Sequence, residues 1–184
     1  VETKTNRQIF DRLSDEFFLK SHQKAVRVFR EIALFPNAIG FDDNSQGFLV
    51  LHRRHAPSGF EQEIPVCLFL KNLGCCVILV EETPHQKTAD AEIDGVVFEI
   101  KQVARAKNIQ RAILRQFRTA YHKCDNILLH IAQQTTINSI RSALKTGIKT
   151  YPSIKLVWIV FENRLYRFSR KNLQSGNIEF DEKK

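Results

Sequence analysis

Three side chains within residues 88–103, Asp90, Glu99 and Lys101, have the types and spacing of a hydrolytic site. Two carboxylates held face to face repel each other, so they gain from a cation placed between them. An ammonium beside them can orient a water molecule or stabilise developing negative charge. Asp94-Gly95, set between β-branched runs, predicts a hairpin with a two-residue type I′ turn. In that register Ile93 faces Val96, Ala91 faces Phe98, and Asp90 faces Glu99. The last is a non-hydrogen-bonded pair, the kind whose side chains approach most closely. Lys101 shares the face of Glu99, while Phe98 and Ile100 point to the other side. The alternative is a charged, solvated hairpin face or a structural salt-bridge cluster.

The elements that must position this trio are legible around it. Residues 1–35 carry apolar side chains at helical spacing, with Ser21 as a cap for a second helix, and nothing there suggests chemistry. Residues 1–40 are therefore expected to form an N-terminal helical appendage to a domain spanning 41–184. Residues 47–52 form a short apolar strand that leads into the basic loop Arg53-Arg54-His55. Residues 61–74 have the marks of a helix: the early acids Glu61 and Glu63, a proline tolerated in the first turn, and terminal Gly74. Residues 76–80 read as a buried strand.

After the hairpin, Asn108 caps a predicted helix running to about Lys123. Ile109, Ile113, Phe117 and Ala120 share one side of it, and Arg111, Arg115 and Arg118 form a narrow stripe on the opposite side. That stripe is either a solvated face or a phosphate-tracking one. Strands follow at 126–132 and 154–161, with a helix at 137–144 between them, and then a turn at Asn163-Arg164 into residues 165–168. The tail after Gln174 is polar and expected to fray. His130 ends an apolar strand as a core residue. His52 and His55 flank the basic loop and are candidates for substrate phosphate, whereas His22, His85 and His122 read as surface residues.

The chain's 184 residues allow one domain with an appendage, and its 43% hydrophobic and 26% charged content is that of a globular protein. No apolar run approaches membrane-spanning length, and no signal-peptide core opens the chain. The formal charge of +8 favours a polyanionic partner, nucleic acid first and an acidic protein second. Cys67, Cys75, Cys76 and Cys124 lack zinc-type spacing and read as free thiols, three of them within apolar runs. The lack of methionine fits either a segment cut from a longer polypeptide or a processed start.

The order helix, strand, hairpin, helix, strand, with Glu63 on the first helix and Asp90…Glu99-Ile-Lys101 on the hairpin, resembles the PD-(D/E)xK nuclease superfamily. It is more closely similar to the C-terminal nuclease domains of bacterial contact-dependent growth inhibition toxins, several of which cut tRNA. The matching text includes Leu70-x-x-x-Gly74, Ala89-Asp90, Ile93-Asp94-Gly95, Phe98-Glu-Ile-Lys101 and Asn126-Ile-Leu-Leu-His130, within residues 45–170.

The resemblance implies an α/β fold with a mixed central sheet flanked by helices, a restriction-endonuclease-like core. It also implies that Asp90, Glu99 and Glu63 bind Mg²⁺ or Mn²⁺ and that Lys101 is the motif lysine, with Glu61 competing for the place of Glu63. Ala89 replaces the motif's proline, which touches no metal. The implied partners are tRNA, or possibly DNA, and a cognate immunity protein. The implied setting is the bacterial cytoplasm, reached by delivery as part of a larger protein. The rival readings are a metal-independent ribonuclease of the barnase or colicin kind and a non-catalytic nucleic-acid-binding module.

Overall fold

The computed structural model describes residues 5–13, 39–52, 54–55, 57–81, 88–176 and 178–180. The chain is of mixed α/β type and divides into two compact units, Val1–Val97 and Phe98–Lys184. Among the described residues no helix is long and apolar enough to cross a membrane.

The first unit holds helix α1 (Asn6–Phe10), strands β1 (Gly40–Phe41) and β2 (Phe48–Leu51), helix α2 (Phe60–Asn72), and strands β3 (Cys76–Leu79) and β4 (Ala91–Ile93). The β2 and β3 strands pair in parallel, with α2 as the crossover between them. Antiparallel β1 and β4 complete the order β1-β2-β3-β4. All four residues of β2 are buried, so the strand reads as a continuous apolar run rather than an alternating one. On one face Phe48 and Val50 pack with Cys76, and Phe10 lies 5.6 Å from the ring of Phe41 and 5.5 Å from that of Phe48. Within the stretch 1–35 expected to be helical, α1 opens with a capping box of Thr5 and Gln8 but closes at Asp11, before Leu13. The second helix and its Ser21 cap fall outside the described residues.

Helix α2 begins one residue earlier than expected, after a 3₁₀ turn at Pro57–Gly59. Pro65 sits inside the helix rather than in its first turn and removes one backbone donor. Buried Ile64, Val66, Cys67 and Leu70 provide the packing that tolerates this loss.

Gly47 is fixed by contact. A Cβ there would overlap the carbonyl oxygen of Lys71 and lie 3.0 Å from both the Cys75 oxygen and the Gly74 Cα. All three obstacles are backbone, so none can rotate away. Gly47→Ala should therefore destabilise the protein by about 3 kcal/mol, at the upper end of overpacking costs, measured as a shift in the urea midpoint. A shift under about 0.5 kcal/mol would mean that the α2–β3 junction is not this tight.

The second unit carries most of β5 (Val96–Val103), followed by α3 (Ile109–Ala120), β6 (Asn126–Ile131), α4 (Ile137–Thr150), β7 (Leu156–Phe161), β8 (Arg164–Ser169) and α5 (Arg170–Ser175). Strands β5, β6 and β7 are parallel, joined by α3 and α4, and β8 returns antiparallel. The β7–β8 turn has positive φ at Glu162 and Asn163 (49° and 55°), as a type I′ hairpin requires. Ile113 and Phe117 of α3 and Ile140 and Leu144 of α4 pack against Ile127, Leu129, Val157 and Ile159 of the sheet.

Three expectations for this unit are corrected. The β7–β8 turn falls at Glu162-Asn163, one residue before the expected Asn163-Arg164, and Arg164 opens β8. Helix α4 does not stop at Leu144 but continues to Thr150, because Gly147 is a contact point rather than a terminator. A Cβ at Gly147 would lie 2.8 Å from the Phe117 ring, so the missing side chain admits that ring against the helix. The described residues after Gln174 do not fray either. Ile178 and Phe180 are buried, and the Phe180 ring lies 4.7 Å from Tyr166 and 5.3 Å from Phe168.

Candidate functional site

In the first unit the site residues gather around the start of α2. Glu63 is buried while Glu61 is exposed, which separates the two acids that compete for one role. His55 Nε2 lies 2.8 Å from Glu63 Oε2, and His55 Nδ1 lies 2.7 Å from the Val80 carbonyl oxygen. A carbonyl oxygen only accepts, so Nδ1 carries a hydrogen and donates to Val80. Nε2 and the Glu63 carboxyl must then share one further proton, whichever of the two holds it. The imidazole stacks on Phe60 with rings 5.7 Å apart and 6° from parallel, which fixes its plane. Gly59 leaves room for the Glu63 carboxyl, since a Cβ there would land on it.

Asp90 is also buried, and its carbonyl accepts from the Val80 amide at 3.1 Å. Glu63 and Asp90 act on one common neighbour, the buried thiol of Cys67. Burial pushes that thiol's pKa well up, and the negative charges of Glu63 and Asp90 push it further. The Asp94-Gly95 turn forms as read, with φ of 51° and 79°. Asp94 also has a structural role that the sequence did not suggest. Its Oδ1 accepts from the Cys76 amide at 2.8 Å, pinning the turn to β3.

The His55–Glu63 pair yields a stability prediction. His55→Ala leaves the Glu63 carboxyl buried without its imidazole and should cost about 3 kcal/mol, the scale for breaking a buried pair from one side. Glu63→Gln should cost much less, because the amide N–H can donate to Nε2 of a neutral imidazole. Thermal melts of the two variants give the order. Equal losses would show that the shared proton contributes nothing to stability.

In the second unit Glu99 is fully buried, and its Oε1 accepts from two ammoniums: Lys101 Nζ at 2.5 Å and Lys123 Nζ at 2.9 Å. Lys101 thus stands on the face of Glu99, as the period of the strand dictates. Lys123 is the residue that sequence reasoning missed. It lies beyond the end of α3, and no local pattern ties it to Glu99. Among the described residues no three of His, Cys, Asp and Glu come together as a metal-holding group. In chemical kind, the oxygen donors Glu63, Asp90 and Glu99 fit a hard dication such as Mg²⁺ or Mn²⁺.

The arginine stripe is where the helical wheel puts it: Arg111, Arg115 and Arg118 are exposed, and Ile113, Phe117 and Ala120 are buried. Arg111 and Arg115 also line a cleft of about 390 Å³, which Arg118 does not. His52 and His55 are placed differently from the reading that aimed them at phosphate. Both are buried, the His55 side chain is 0% exposed, and each is held by internal bonds. His130, expected as a core residue, is only half-buried, and that burial lowers its pKa. Its Nδ1 lies 3.4 Å from the Gln102 side-chain nitrogen. All four cysteines are free thiols, three of them buried.

Residues 87–165 match the family model described as the contact-dependent growth inhibition CdiA C-terminal domain. The match covers somewhat less than half of the chain and includes Asp90, Glu99, Lys101, Lys123 and the arginine stripe. No curated protein matches the chain. Among solved structures, it is similar to a chain of the "CdiA-CT/CdiI toxin and immunity complex from Burkholderia pseudomallei", at 18% identity and a TM-score of 0.43. That similarity covers 61% of this chain and 85% of the other.

Proposed function

We propose that this chain is the toxic effector module of a contact-dependent growth inhibition protein and that its activity is metal-dependent hydrolysis of nucleic-acid phosphodiesters. The observation that carries the reading is the buried Glu99 with Lys101 two residues on, inside the segment that matches the CdiA C-terminal family model. An acid and a lysine locked together on one strand face form the E-x-K half of the motif read from sequence.

The residues proposed to hold Mg²⁺ or Mn²⁺ are Asp90, Glu99 and Glu63. A bound dication supplies an acidified water and neutralises charge on the phosphate. Lys101 orients that water or stabilises the charge that develops on the phosphate. His55 acts only through Glu63, holding the plane of its carboxyl. Arg111 and Arg115, exposed along the cleft, bind the substrate backbone.

RNA is the proposed substrate, tRNA first, with the site of action in the cytoplasm of a target cell. A cognate immunity protein is the proposed partner, and an acidic one best complements a charge of +8. A second reading is favoured by one observation: Glu99 between two lysines also has the composition of a structural ion-pair cluster. On that reading the module binds nucleic acid without cutting it.

Incubation with tRNA, ribosomal RNA and plasmid DNA in Mg²⁺ separates the two, with Asp90→Asn as the inactive control. The expected result is loss of full-length tRNA with the parent protein alone. Intact nucleic acid in every arm, with binding retained, would favour the second reading.

A further inference from the structure

The cleft that Arg111 and Arg115 line has two further cationic walls, Arg105 and Lys107, which belong to the loop between β5 and α3. All four cations are exposed, and the cleft lining includes no acid. Three features show that this loop is shaped rather than slack.

Arg105 has a φ of 55°, a left-handed conformation that costs a non-glycine residue on the order of 1 kcal/mol. The Gln133 side chain clasps the next residue from both sides, accepting from the Ala106 amide at 2.6 Å and donating to the Ala106 carbonyl at 3.2 Å. Asn108 then caps α3 through the Arg111 amide at 2.9 Å. Two constraints thus hold the loop in a conformation that turns against its own preference.

The charge arrangement is also unfavourable for the helix by itself. The N-terminus of α3 carries the positive end of the helix dipole, where acids stabilise and cations do not. The first turn of α3 contains no acid, and Lys107 and Arg111 flank its start. An anion in the cleft relieves both the repulsion among the cations and the dipole mismatch.

We propose that the cleft bounded by Arg105, Lys107, Arg111 and Arg115 is the site that grips the phosphodiester backbone of an RNA. Gln133 holds the Arg105 loop open for it. The assignment rests on the nuclease reading only for the choice of RNA as the polyanion. It moves the backbone contact away from Arg118 and from the buried His52 and His55.

The test is fluorescence anisotropy of the full chain with a labelled 2′-O-methyl oligouridine about a dozen nucleotides long, in EDTA, across a salt series. Neither the metal-dependent nor the metal-independent cleavage chemistry can act on this probe, so binding is read apart from activity. Each lost phosphate contact should flatten the plot of log K against log salt by about 0.7 for a single strand. The double change Arg105→Ala with Lys107→Ala should therefore lower the slope by about 1.4, and Arg118→Ala should leave it unchanged. An unchanged slope in the double variant overturns the proposal, as does a loss confined to Arg118→Ala. No salt-dependent binding by the parent protein overturns it as well. If the double variant behaves as expected while the parent protein cuts no nucleic acid, the grip stands and the nuclease reading falls.

Discussion

Lys101→Met is expected to lower single-turnover cleavage by about 10²–10³, the usual loss for one charge-stabilising group, while the melting temperature stays near that of the parent protein. The fold should hold because Glu99 keeps Lys123 at 2.9 Å when Lys101 is removed. Methionine also keeps most of the length and apolar stem of the lysine. A protonated lysine is no ligand and repels a dication, so Mn²⁺ affinity measured by calorimetry should stay level or rise. Lys123→Met is the matched comparison. It removes the other ammonium from the same oxygen but lies outside the motif, so cleavage should stay near the parent rate. Equal loss in both variants would assign Lys101 to holding Glu99 in place and nothing more.

Asp90→Asn and Glu63→Gln should each abolish cleavage and leave a folded protein. Both carboxyls are buried, and a neutral amide costs less to bury than a carboxylate. The amide of Glu63→Gln has a ready acceptor in His55 Nε2, which leaves no new unsatisfied group. Melting without metal should therefore hold or rise for Asp90→Asn and fall little for Glu63→Gln. An active Asp90→Asn protein would remove Asp90 from the site, and unfolding of both variants would make the acids structural.

The β2 run, α2 and α3 are legible from local signals: unbroken apolar residues in β2, early acids and a terminal glycine around α2, and a helical period in α3. The α3 stripe, the run Ile127-Leu-Leu129 and the Asp94-Gly95 turn each follow from local rules alone. What sequence reasoning missed lies in contacts between distant residues. The helix read as ending at Leu144 runs on through Gly147, whose missing side chain admits the Phe117 ring. Ile178 and Phe180 look like part of a polar tail until Tyr166 and Phe168 are found beside them.

The same division runs through the candidate site. Glu99 and Lys101 share a face because strands alternate, which spacing reveals. The Lys123 contact and the capture of Glu63 by His55 depend on how α3 and α2 pack, which spacing does not reveal. For that reason spacing alone leaves His52 and His55 as candidates for substrate phosphate, although both are buried. Their chemistry suits either place, and only burial distinguishes the two.

The most direct measurement is the single-turnover rate of tRNA cleavage, taken in excess Mg²⁺ and again in excess EDTA, with Glu99→Gln run beside the parent protein. The expected result is cleavage by the parent protein in Mg²⁺, none in EDTA, restoration when Mg²⁺ is returned, and no cleavage by Glu99→Gln at the same Mg²⁺ concentration. Cleavage in EDTA at the Mg²⁺ rate, or by Glu99→Gln at the parent rate, would contradict it.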